Sequence, residues 1–193
     1  LEVALLQGAI PQNEKWLAEN RLATLERYRG LHREALGARI IVWPESAIPM
    51  LAHEATVFLE SIRQESRARD SDVMIGLLQF DFDTAEIRNG LYSMSEAGDG
   101  WYFKRQLVPF GEFFPVPAFV RRWMRLMSLP YYDMTPGDVD QPTLAAGGQR
   151  LAATICYEDA YGGDQLGNLD VATLLVNVTN NAWFGDSAAP HQQ

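Results

Sequence analysis

Apolar residues recur along this chain in two rhythms. Short, nearly continuous apolar runs predict strands at Glu2–Gln7 (EVALLQ), Arg39–Trp43 (RIIVW), Asp72–Gln79 (DVMIGLLQ), Arg150–Cys156 (RLAATIC) and Val171–Val178 (VATLLVNV). Runs without alternation fit strands covered on both faces. Between the first two, Leu17, Leu22, Leu25, Tyr28, Leu31 and Ala35 fall at helical spacing, which predicts one helix over Glu14–Leu36 stopped by Gly37. Thr56–Arg69 predicts a second helix. Gly90–Ser95 and Gly100–Lys104 predict a hairpin across Gly98-Asp99-Gly100. Strand, helix, strand, helix, strand is α/β order.

Composition narrows the function classes. The 193 residues are enough for one sizeable core, and a single domain over 1–193 is expected, with no repeat and no linker. A net charge of −9 argues against nucleic acid, because binding phosphates requires basic surface. The one cysteine cannot form an intramolecular disulfide. His32, His53 and His191 lie too far apart for metal-ligand spacing, so neither a metal nor a cofactor is expected. The longest apolar run, Arg39–Leu51, is broken by Pro44, Glu45 and Pro49 and is too short to span a membrane. The chain opens at Leu1 inside a predicted strand and closes at Gln193 soon after a polar loop, so it is expected to be a piece of something longer.

Three chemistry-bearing residues share one setting. Glu45 follows the strand RIIVW, Lys104 ends WYFK, and Cys156 ends RLAATIC. α/β proteins build their sites on the loops at strand ends. A thiol needs a base to become a nucleophile, and a carboxylate held in apolar surroundings can be that base. An ammonium can favour the thiolate and the oxyanion that follows. Singly, each has a plainer reading: a small buried hydrophobe for Cys156, a helix cap for Glu45, a surface cation for Lys104. Spacing alone does not decide.

The surrounding strings do more. WPESAIP around Glu45, YFKRQLVPFGEFFP around Lys104, ICYED at Cys156 and NVTNNAWFGDS near the end resemble the nitrilase superfamily. More narrowly, they resemble the apolipoprotein N-acyltransferase family, over nearly the whole chain from VALLQGAIPQNEKW onwards. That resemblance implies a nitrilase-like α-β-β-α sandwich, here incomplete at the C-terminus, and a Glu–Lys–Cys triad at Glu45, Lys104 and Cys156. It implies supporting roles for Glu112 in LVPFGEF and for Tyr157 and Glu158 after the cysteine. Trp16 in NEKW is implied as a substrate contact, with Trp183 and Phe184 as further lining. Two positions depart from the family pattern: Gln106 stands where His is frequent, and Asn181 where Asp is common.

The implied activity is transfer of an acyl chain from a phospholipid to the α-amino group of an apolipoprotein's diacylglyceryl-cysteine, through a thioester. The implied setting is the periplasmic side of a bacterial inner membrane, with the enzyme acting as a monomer and membrane helices preceding the domain. One segment fits such a setting on its own pattern. In Val116–Leu129, Phe119, Val120, Trp123, Met124, Leu126 and Met127 fall on one helical face and Arg121, Arg122 and Arg125 on the other. That suits a helix at a membrane surface, with Trp123 in the lipid interface; an ordinary helix packed on a sheet has the same pattern. Two competing functions stay open: a soluble amidase with the same triad and water as second nucleophile, and a non-catalytic binding domain of the same fold.

Overall fold

The computed structural model describes residues 1–116 and 133–184. Its first sheet has the strand order β1 (Val3–Leu5), β2 (Ile40–Val42), β3 (Asp72–Asp81), β4 (Glu86–Met94), β5 (Gly100–Phe103). The first three strands are parallel, and β4 and β5 return antiparallel. A second sheet holds β6 (Leu144–Ala146), β7 (Gln149–Ile155) and β8 (Leu174–Val178). There β6 and β7 are antiparallel, and β7 and β8 parallel.

Period-two alternation lets one strand serve two cores. Ile41 and Trp43, with Val73, Ile75 and Leu77, face the helices α2 (Arg21–Ala35) and α3 (Thr56–Arg67). Ile40, Val42 and Met74 face the other way and pack with Leu151, Ala153 and Ile155 of the second sheet. The result is a helix–sheet–sheet layering among the described residues. The second helical layer of the expected sandwich is not found among them. Leu175 of β8 is 64% exposed.

Three predicted elements are corrected. The run Glu2–Gln7 forms only Val3–Leu5, and it is an exposed edge strand rather than a buried one, since β1 pairs on one side alone. The single helix over Glu14–Leu36 is broken into α1 (Gln12–Lys15), a 3-10 turn at Ala18–Asn20, and α2. Its buried stripe is Thr24, Tyr28 and His32, one residue every four, while Leu17 and Leu22 are exposed. Tyr28 stacks on Trp43 at 5.1 Å, and Leu25, Leu31 and Ala35 of the predicted spacing pack beside it on the core. The hairpin at Gly98 forms, but β4 also pairs over its full length with β3, from Val73–Met94 to Asp81–Glu86. The strand at Val171–Val178 starts only at Leu174, and β6 has no counterpart in the predicted elements. Gly37 ends α2 as expected, with φ of 111°.

Candidate active site

The three strand-end residues converge. Glu45, Lys104 and Cys156 line one cavity of about 140 Å³, together with Val108, Gly111, Glu112 and Asn180. Each sits just past a strand: Glu45 beyond β2, Lys104 at the end of β5, Cys156 at the end of β7. The chain turns sharply there. Ser46 has φ of 48° and Cys156 has φ of 59°, backbone conformations that L-residues seldom adopt. The Glu45 turn also needs Gly76 in β3. A Cβ at that position would lie 2.3 Å from the carbonyl oxygen of Pro44 and 2.7 Å from the Cα of Glu45.

Lys104 is 1% exposed, and a buried ammonium requires partners. Its Nζ donates to Glu112 Oε1 at 2.9 Å and to Glu45 Oε1 at 3.2 Å. Burial draws Lys104 towards its neutral form, but the charges of Glu45 and Glu112, with a further pull from Cys156, outweigh it and hold its pKa above the ordinary lysine value. An ammonium has three protons; two are directed at these carboxylates.

Both carboxylates are fixed from several sides. Asn89 Nδ2 on β4 donates to Glu45 Oε1 at 2.8 Å and to Glu112 Oε1 at 3.1 Å. The remaining oxygen of Glu45 accepts the backbone N–H of Asn180 at 3.0 Å, and that of Glu112 accepts the N–H of Val108 at 2.8 Å. This cluster can support proton transfer from a thiol to a carboxylate, beside a fixed cation for a developing oxyanion. No group of His, Cys, Asp and Glu that could hold a metal exists among the described residues.

The sequence profile of the carbon-nitrogen hydrolases matches residues 2–193. The chain belongs to the carbon-nitrogen hydrolase family. An apolipoprotein N-acyltransferase of Methylococcus capsulatus is 40% identical over 193 residues, which is all of this chain and 38% of that relative. One from Nitrosomonas europaea is 37% identical over 191 residues, 98% of this chain and 38% of the relative. The chain thus spans about two-fifths of the length of the curated relatives it matches. Among solved structures, a carbon-nitrogen hydrolase from Helicobacter pylori G27 superposes with a TM-score of 0.65 at 17% identity, covering 93% of this chain and 59% of that one. It shares the fold.

The other sequence candidates are placed unevenly. Glu158 does not line the cavity. It is 2% exposed, and its carboxylate is a brace. It accepts the backbone N–H groups of Arg105 at 2.6 Å, Gln106 at 3.0 Å and Ile155 at 2.8 Å, and the hydroxyl of Tyr102 at 3.0 Å. It therefore ties the residues after Lys104 to the residue before Cys156. Burial, and after it the charge of Glu158, pushes the pKa of Tyr102 well above the ordinary tyrosine value.

Tyr157 also lies outside the cavity lining; its ring meets Tyr161 edge-on at 5.4 Å. Trp16 is 44% exposed and lies outside it too. Trp183 and Phe184 end a 3-10 turn, Asn181–Phe184, and nothing is described of their side chains. Trp123, with nearly all of the Val116–Leu129 segment, lies outside the described residues.

Sequence reasoning missed Asn89 and Asn177. Asn177 Nδ2 donates to the carbonyl of Cys156 at 2.9 Å and to Thr154 Oγ1 at 2.8 Å, steadying the turn that presents the thiol. A polar residue inside an otherwise apolar run (Asn177 in LLVNV) was the available signal. Asn89, beside Gly90, offered none.

Proposed function

We propose that this chain is the catalytic domain of an enzyme that moves a fatty acyl group from a phospholipid to the N-terminal α-amino group of diacylglyceryl-cysteine in apolipoproteins. The observation that carries the reading is the meeting of Glu45, Lys104 and Cys156 in one cavity, in a chain 40% identical to a protein named for that activity.

Glu45 takes the proton of the Cys156 thiol. The thiolate attacks the ester carbonyl of the phospholipid, making the C–S bond and a tetrahedral oxyanion, which then collapses with cleavage of the C–O bond to glycerol. Lys104 and the N–H of Tyr157 stabilise the oxyanion between these events. Glu45 returns its proton to the departing alkoxide, so a lysophospholipid leaves. In the second half, Glu45 accepts a proton from the acceptor amine, which attacks the thioester. An amide forms, and Cys156 leaves as the thiolate and regains the proton. Glu112 and Asn89 hold Lys104 and Glu45 in place throughout. The donor and the anchored acceptor require a membrane, which the Val116–Leu129 segment would contact. The resemblance further implies the periplasmic face of the inner membrane and a monomer.

The scheme predicts ping-pong kinetics. Incubation with phospholipid, followed by intact-mass measurement, is expected to find one acyl adduct on Cys156 that is absent from Cys156→Ser and lost on addition of a diacylglyceryl-cysteine peptide. Fast hydrolysis of small amides with no lipid adduct would instead establish an amidase. Function that survives Cys156→Ser would establish a binding domain.

A further inference from the structure

A second cavity, of about 480 Å³, lies against the first and shares Asn180 with it. Its walls come from the loop after β1, from Pro44, and from the stretch Thr179–Ala182. Of these walls the site described above uses only Asn180, whose N–H bonds to Glu45. In a chain of net charge −9, no acidic side chain lines this space among the described residues, and Lys15 is the one cationic side chain that does.

Lys15 is an expensive residue to keep there. It is 4% exposed, and no carboxylate lies within 4 Å of its Nζ among the described residues. Its Nζ donates to the backbone carbonyl of Glu45 at 3.5 Å, a long bond, and the ring of Trp16 lies 6.0 Å away. A buried ammonium with so little compensation awaits a counter-ion. The contact with the Glu45 carbonyl places the ammonium next to a residue whose side chain lines the cavity of the thiol. A cavity of this size holds a ligand of small-molecule dimensions.

We propose that Lys15 binds the phosphodiester of the acyl donor, so that the headgroup occupies the larger cavity while the ester carbonyl reaches Cys156 past Asn180. The inference rests on the phospholipid-donor reading and adds to it a named anchoring residue and the chemical group anchored. Trp16 lies near the same ammonium, its ring centre 6.0 Å from it. Burial lowers the pKa of Lys15 to about 8 against the opposing pull of Glu45, which leaves the ammonium charged at neutral pH and more so once an anion is bound.

Two measurements on the full-length protein test this. The first compares Cys156 acylation by phosphatidylglycerol with acylation by a p-nitrophenyl fatty ester, which has no phosphate. Lys15→Met is expected to lower the ratio of the two kcat/KM values about tenfold to a hundredfold, as loss of a charge-assisted contact does, and Lys15→Arg is expected to restore most of it. An unchanged ratio would overturn the proposal, and Lys15 would then serve only the Glu45 backbone. The second measures binding of glycerophosphoglycerol and of inorganic phosphate by calorimetry. Tighter binding of the glycerophosphodiester, weakened at least tenfold by Lys15→Met, supports the headgroup site even if phospholipid fails to acylate Cys156, an outcome that would reject the donor reading alone. Tighter binding of inorganic phosphate, or no binding of either, refutes the headgroup site.

Discussion

Lys104 lies closer to Glu112 than to Glu45, 2.9 Å against 3.2 Å between the ammonium nitrogen and the nearer oxygen of each. The carboxylate taken as the proton acceptor therefore shares its cation with a second carboxylate, and Asn89 bonds to the same two oxygens. Against the lowering effect of burial, Glu45 and, after it, Glu112 hold the pKa of Lys104 above the ordinary lysine value.

Glu112→Gln is accordingly expected to slow Cys156 acylation by about a hundredfold or more, in the range seen when one fixed electrostatic partner is removed. The sign of its pH effect also follows. Glu112 is among the groups that raise the Lys104 pKa, so removing its charge lowers that pKa. The alkaline limb of the rate profile should move to lower pH. An unmoved limb together with a reduced rate would show that Glu112 acts only by shaping the loop at Val108.

Glu158 is predicted to be a stability residue more than a rate residue. Its four accepted bonds come from three backbone N–H groups and one hydroxyl, all at buried or part-buried sites. In Glu158→Gln one end of the amide must face donors with a donor of its own. The expected cost is about 2–4 kcal/mol of folding stability, read from denaturant unfolding. Unchanged stability with abolished acylation would place Glu158 in the chemistry instead.

Lys15 carries the opposite sign. Its pKa is about 8 in the folded chain against 10.5 for an ordinary exposed lysine. Between those two pH values the unfolded chain holds a proton that the folded chain has released, so folding stability rises with pH across that window. Below about pH 8 the burial cost is fully present, at most about 3 kcal/mol. Lys15→Met should therefore raise Tm by roughly 5 °C at pH 7, and by less at pH 10. Thermal unfolding at both values checks this; a variant less stable at both would mean that the contact with the Glu45 carbonyl outweighs the cost of burial.

Local order was legible in the sequence because local order has local causes. Apolar runs gave the strands β2, β3 and β7, glycine gave the end of α2, and the strings around Glu45, Lys104 and Cys156 singled out three residues that line one cavity. Each signal lies within a few consecutive residues. The helical spacing found most of the α2 face, since Leu25, Tyr28, Leu31 and Ala35 pack on the core, but spacing alone did not show that Leu22 would be left out. Here Tyr28 reaches Trp43, and Leu22 is left in solvent.

Tertiary structure alone decided which side chains meet. Asn89 reaches Glu45 across 44 positions, the Asn180 N–H reaches Glu45 across 135, and Lys15 touches the Glu45 backbone across 30. Such pairings depend on how two sheets stack and where their strand ends come to lie. Side-chain type at one position carries no record of the partner that packing will bring to it, so the sequence could single out Glu45, Lys104 and Cys156, while only the folded chain could supply the groups that hold them and the cavity beside them.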